Sequence, residues 1–128
     1  MAVRRSMSGS IGVVVLRLML ALCFATTLVC GQRDWTVGEG GGWTFGVAGW
    51  ENGKPFSAGD ALVFKYNPGM HNVVEVDEAG YNSCTAGAGA RTYTSGNDNI
   101  RLSGGKTFYI CSFPGHCQGG MKIAVATQ

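Results

Sequence analysis

The chain has 128 residues and a mass of 13.4 kDa, which is the size of one small domain with room for a short additional segment. Its formal charge is +2, but residues 32–128 hold seven Lys/Arg against eight Asp/Glu, and this balance excludes a basic nucleic-acid-binding domain. The 21 glycines show no collagen period, and the apolar content of 45% is that of a globular protein, which excludes disorder.

Residues 1–31 are predicted to be a secretory signal peptide. Two arginines near the start are followed by a long apolar run, and small residues precede a cleavage site after Gly31. A transmembrane anchor is the alternative, but Arg17 interrupts the run and leaves too few apolar residues to cross a bilayer comfortably. Removal of this segment leaves residues 32–128 as one domain.

Residues 32–128 contain short apolar runs separated by Gly, Pro, Asn and Asp, without a long helical period. This pattern is typical of an all-β sandwich or barrel. The predicted strands are 34–37, 43–45, 61–66, 72–76, 100–102, 107–111 and 121–127. Residues 84–90 suit either a loop or a short helix. Four acidic residues are interpreted as solvated charges at strand ends: Asp60, Glu75, Asp77 and Glu78.

The cysteine count falls from five to three when the predicted signal peptide is removed. In an oxidising compartment one disulfide would form readily, and the third thiol then needs a role. Metal coordination is one such role. From the count alone, any one of three bridges among Cys84, Cys111 and Cys117 is possible.

The segment CSFPGHCQGGM, residues 111–121, places three metal-binding side chains between two predicted strands. They are Cys111, His116 and Met121. With His71 from a different strand, they form the ligand set of a blue-copper site, in which two His and one Cys make a plane and Met is a weak axial ligand. Thiolate and thioether favour Cu(I), and imidazole suits both oxidation states, so the set fits a copper ion that cycles between them.

Each ligand taken alone has a simpler interpretation. His71 could be an ordinary histidine, Met121 could fill the core, and Cys111 could form a disulfide. Zinc is the main alternative metal, but structural zinc sites usually contain closely paired Cys and paired His ligands, and this chain has neither pair. Assigning Cys111 to the metal leaves Cys84 and Cys117 to form a disulfide that would pin the ligand loop to a distant segment.

With these residues, the chain resembles the phytocyanins, the secreted plant members of the cupredoxin family, and among them the plantacyanins or basic blue proteins. The resemblance includes GGWTF at 41–45, YNPGMHNVVEV at 66–76 and FPGHCQGGMKIAV at 113–125. It implies a cupredoxin-like Greek-key β-sandwich with one disulfide and one type 1 copper ion. The residues carried over are the ligands His71, Cys111, His116 and Met121, and the disulfide pair Cys84 and Cys117.

The resemblance also implies a function. We expect a protein of the apoplast or cell wall that transfers single electrons by Cu(II)/Cu(I) cycling and is not an enzyme. The alternative is an extracellular signalling or cell-wall interaction protein, for example in plant reproduction, whose copper is mainly structural. We expect a monomer. We also expect no membrane anchor in the mature chain, because the sequence stops after the last predicted strand.

The partner is expected to be a redox protein or a cell-wall component. Apolar residues in the two ligand-bearing loops could form a docking rim for it, or could simply close the end of the sandwich. These rim residues are Pro68, Gly69, Met70, Phe113 and Pro114.

Overall fold

Residues 31–128 are described by a computed structural model of the chain. Apart from Gly31, the predicted signal peptide lies outside the described residues, so its boundary stays a prediction. The strands of the described part are β1 (Asp34–Thr36), β2 (Ala61–Lys65), β3 (Val73–Val76), β4 (Thr92–Tyr93), β5 (Asn97–Arg101), β6 (Lys106–Ile110) and β7 (Lys122–Ala126). A 3₁₀ helix spans Glu39–Gly41 and the α-helix α1 spans Glu78–Ser83. Neither helix has the length and apolar character needed to cross a bilayer.

The strands form two sheets that share one core. One sheet has the order β1-β2-β5 and the other the order β4-β3-β6-β7. β1 and β2 are parallel, and the other neighbouring pairs are antiparallel. The shared core contains Phe64 of β2 and Tyr109 of β6, whose ring centroids are 5.4 Å apart. The predicted all-β sandwich is therefore confirmed.

The four-stranded sheet is covered on both faces, because neighbouring residues of a strand point to opposite sides. Val73 and Tyr109 face the shared core, whereas Val74 and Ile110 belong to a second buried cluster with Cys117. Tyr81 of α1 packs against this second cluster. The helix therefore covers the outer face of the sheet that carries β3 and β6.

The structure corrects one predicted strand, adds another, and decides between the two interpretations of residues 84–90. Residues 43–45 do not form a strand, because Gly42 and Gly46, with φ of 69° and 76°, turn the chain on either side. The short strand β4 was not predicted. Residues 84–90 form a loop, and the helix precedes them.

Asp77, one of the four acidic residues expected to be solvated, is exposed and is the N-cap of the helix α1. The side chain of Asp77 accepts a hydrogen bond from the backbone N–H of Gly80 and so caps the helix. At the other end, Cys84 has a left-handed backbone with φ of 56°. Glu78 is exposed, as expected for a solvated charge, whereas Glu75 is half-buried.

Asp60 is not a solvated charge, because its side chain is only 1% exposed. Its carboxylate accepts hydrogen bonds from the backbone N–H groups of Arg33 and Ser57 and from the indole of Trp35, at 2.9–3.0 Å. Burial raises the pKa of Asp60, but these hydrogen bonds outweigh it, and the pKa lies below the usual 3.8. Asp60 therefore ties the segment before β1 to the start of β2.

We predict that Asp60→Ala lowers the free energy of unfolding by about 3 kcal/mol at neutral pH, since three donors lose a charged acceptor. The folded carboxyl has the lower pKa, so the part of its contribution that depends on charge is complete above the unfolded pKa of 3.8 and is lost as the pH falls through the folded pKa. Denaturant unfolding across pH measures both effects. Asp34→Ala, at an exposed position in β1, is the control. A difference between variant and wild type that keeps its full neutral-pH size at low pH would contradict the assignment.

Candidate metal centre

Three of the four predicted ligands meet at one end of the sandwich. The Nδ1 atoms of His71 and His116 are 3.0 Å apart, and Sγ of Cys111 is 3.6 Å from Nδ1 of His116. The donor atoms of all three residues lie within 4.8 Å of one another. Cys111 is fully buried, His71 is 7% exposed and His116 is half-buried.

The strand pairing explains why residues so distant in sequence meet here. β3 and β6 are antiparallel, with Val74 opposite Ile110. His71 lies just before β3 and Cys111 just after β6, so both emerge at the same end of the sheet. A turn positions His71 more closely, because the carbonyl oxygen of Asn67 accepts its backbone N–H at 3.2 Å.

The loop between β6 and β7 carries the other two predicted ligands, His116 and Met121. The backbone N–H of Cys111 donates to the carbonyl of Met121, and the N–H of Met121 donates to the carbonyl of His116, each at 3.0 Å. Met121 is fully buried and belongs to the same cluster as Cys111. The structure thus holds the backbone of Met121 beside that of Cys111.

The donor atoms suit a single metal ion. Nitrogen and sulfur ligands lie about 2.0–2.3 Å from a bound ion, so two donors on one ion are at most about 4 Å apart. Two of the three separations, 3.0 and 3.6 Å, satisfy this limit, and the third, between Cys111 and His71, is at most 4.8 Å. Burial lowers the pKa of His71, as does the neighbouring His116, and this favours the neutral imidazole that metal binding requires.

A hydrogen-bonded pair that we did not predict joins the two ligand-bearing loops. The side chain of Asn72 donates to Oγ of Ser112 at 2.8 Å and accepts from the backbone N–H of Ser112 at 2.9 Å. Asn72 follows His71, and Ser112 follows Cys111. The sequence shows a polar residue beside each ligand but does not show that the two residues meet.

Phe45 is a second site residue that we did not predict. Its ring centroid is 4.7 Å from that of His116 and 5.7 Å from that of His71, and its side chain is 51% exposed. The sequence predicts a strand at residues 43–45, which would contain Phe45, but this strand does not form. The sequence signal that could have identified Phe45 is an aromatic residue in a glycine-rich stretch without the alternation of a strand.

The five predicted rim residues lie in the loops of His71 and His116. Met70 is 55% exposed, and Phe113 is half-buried with its ring centroid 5.5 Å from that of His116. The others, Pro68, Gly69 and Pro114, are exposed. Phe45 and Phe113 thus both pack against the half-buried imidazole of His116, and the docking role of the rim stays a prediction.

The predicted disulfide is confirmed. Cys84 is bonded to Cys117, which directly follows His116, while Cys111 is a buried free thiol. The bond joins the C-terminal end of α1 to the ligand loop across 33 residues of sequence. It therefore fixes the ligand loop to the helix that covers the outer face of the sheet.

We predict that replacing both disulfide cysteines with Ala lowers the free energy of unfolding of the metal-free protein by about 3–4 kcal/mol. The disulfide closes a loop of this length and so lowers the conformational entropy of the unfolded chain. On the chain-entropy account, this loss of entropy stabilises the folded state by about that free energy. Denaturant unfolding of the double variant measures the loss. Ser83→Ala, an exposed residue at the end of α1, is the control. A loss below 1 kcal/mol would contradict this role of the bond.

Comparison with known proteins places the chain in a family. A family model for the plastocyanin-like domain matches residues 35–121. Chemocyanin of Lilium longiflorum is 65% identical over 91 residues, which are 71% of this chain and 72% of that protein. The structure of cucumber basic protein, a blue copper protein, has 55% identity and a TM-score of 0.73, covering 74% of this chain and 99% of that chain. Spinach plantacyanin has 60% identity and a TM-score of 0.64, covering 68% and 94%. The chain therefore belongs to the plastocyanin-like family and, within it, to the phytocyanins of the basic blue and plantacyanin type.

Proposed function

We propose that this protein binds one copper ion in a type 1 centre and carries single electrons. The observation that carries the proposal is the cluster of two imidazole Nδ1 atoms and one buried thiol at the end of the sandwich. Two His and one Cys with a nearby Met form a blue-copper donor set, whereas zinc would make no use of the thioether. The blue copper proteins among the relatives support the same metal.

The four proposed ligands have distinct roles. His71, Cys111 and His116 would hold the copper ion through two imidazoles and one thiolate, and Met121 would supply the thioether that tunes the reduction potential. When bound, copper supplies the one-electron Cu(II)/Cu(I) couple. All four ligands come from the protein, so no open position is left for a substrate, and we propose a carrier rather than an enzyme.

The polypeptide around these ligands is suited to electron transfer because it holds them in place. Cys111 and Met121 are joined by the β6–β7 hairpin, and the Asn72 side chain joins the two ligand loops. A fixed donor set changes little between oxidation states, so little reorganisation accompanies the transfer. His116 is half-buried, and electrons would pass through its partly exposed ring.

The first experiment is the absorption spectrum of copper-loaded protein before and after ascorbate. We expect an intense blue band from the Cys111 thiolate, which ascorbate bleaches and Cys111→Ser abolishes. Gln118→Ala, an exposed change in the same loop, is the control and keeps the band. Folded, copper-loaded wild-type protein without the band would refute the electron-carrier proposal.

The rim formed by Pro68, Gly69, Met70, Phe113 and Pro114 is proposed as the contact surface for a redox partner. The segments that surround the donor cluster, residues 41–50, 66–74 and 111–121, contain no charged side chain when His is neutral. Association through this surface therefore relies on apolar contact rather than on charge attraction. A partner with a small uncharged face fits it.

We predict that Phe113→Ser slows electron exchange between oxidised and reduced copies of the protein, measured by NMR line broadening. The rate for the wild type should change little between low and high ionic strength, because screening acts on charges that this face lacks. Asn99→Ser, exposed in β5 of the other sheet, is the control. If Phe113→Ser keeps the blue band and exchanges electrons at the wild-type rate, the rim is not the contact surface.

We also propose an extracellular location, in the apoplast or cell wall. A disulfide in a small domain is typical of an oxidising compartment, and the predicted signal peptide leads to one. The alternative, a signalling or cell-wall interaction protein with structural copper, has no specific contact in its favour. Full biological activity of folded Cys111→Ser protein would support that alternative.

A further inference from the structure

The segment 44–48, called the strap here, lies directly on the ligand loop. The backbone N–H of Gly46 donates to the carbonyl of Gly119, and that of Ala48 donates to the carbonyl of Gly120, each at 3.0 Å. The approach is so close that a Cβ at Gly120 would lie 3.0 Å from the backbone of Gly46. The strap is therefore fixed relative to the residues that follow His116.

The strap holds the Phe45 ring against both imidazoles. The planes of the Phe45 and His71 rings meet at 79° with the centroids 5.7 Å apart. Those of Phe45 and His116 meet at 57° with the centroids 4.7 Å apart. Gly119 lies beneath the same ring, since a Cβ there would be 2.7 Å from Cδ1 of Phe45. The ring thus rests on a surface formed by two imidazoles and one glycine.

We propose that Phe45 is a positioning residue of the metal centre, whose ring shields the two imidazoles from water and limits their rotation. Aromatic contacts of this kind contribute beyond simple burial, and they favour particular ring orientations. Exclusion of water also strengthens electrostatic interactions at the donor atoms. The copper-related consequences rest on the proposed function, whereas the shielding is a property of the metal-free protein.

The first test uses the metal-free protein and diethyl pyrocarbonate, which acylates accessible neutral imidazole. We expect Phe45→Ala to raise the modification rates of His71 and His116 several-fold, as measured by peptide mass spectrometry. Thr44→Ala, an exposed change in the same strap, should leave both rates at the wild-type value. Rates that are equal in wild type and folded Phe45→Ala would overturn the proposal.

A second variant displaces the ring without removing it. The backbone of Gly119 is outside the left-handed region, so Gly119→Ala adds a methyl group without backbone strain and forces the Phe45 ring away. We expect Gly119→Ala to raise imidazole modification when Phe45 is present and to add nothing in the Phe45→Ala background. Additive effects of the two substitutions would contradict a shared action through the ring.

The copper-loaded protein gives an independent readout. Removal of copper by an excess of chelator should be several-fold faster from Phe45→Ala than from wild type, and the blue band should shift. Phe45→Leu keeps apolar bulk without a ring, so its rate of copper removal should lie between those of wild type and Phe45→Ala. Unchanged removal and an unchanged band would oppose a positioning role. If wild-type protein binds no copper, the proposed function fails, and the imidazole modification rates still decide the shielding.

Discussion

The antiparallel pairing of β6 with β3 on one side and β7 on the other is the constraint on which the metal centre depends. Its register puts Ile110 opposite both Val74 and Lys122. Residues one to three positions beyond these pairs must then meet at one end of the sheet, and they include His71, Cys111 and Met121. Sheet geometry thus brings three of the four proposed ligands to one end of the sandwich, and the loop between β6 and β7 supplies the fourth, His116.

Separate ties then hold the ligand loop, each acting at a different point along it. Ser112 is bonded to Asn72, Cys117 is bonded to Cys84, and the end of the loop pairs with the strap. These ties come from the neighbouring ligand loop, the helix region and the chain before β2. A loop anchored from three directions cannot easily relax when the charge of a bound metal changes, which is the property that an electron carrier needs.

The sequence predicted the donor set and the disulfide because both depend on a few residue types with specific chemistry. The apolar runs also predicted most strands, although their ends differ by a few residues. The missed features all depend on contacts between distant segments. Asp60 is buried because groups near β1 donate to it, Asn72 matters because Ser112 lies opposite, and Phe45 reaches the imidazoles because glycines turn the chain around it. No local pattern carries that information.

The glycines around the centre explain why an exposed aromatic ring can remain so close to two imidazoles. Any side chain at Gly119 would occupy the space of the Phe45 ring, and any side chain at Gly120 would separate the strap from the loop. Gly120 also has a φ of 92°, a backbone conformation that other residues adopt only with strain. The position of Phe45 is therefore specified by residues that have no side chain as much as by the ring itself. From the sequence alone, these glycines predict only turns. In the structure they leave room for the ring that we propose shields the imidazoles from water.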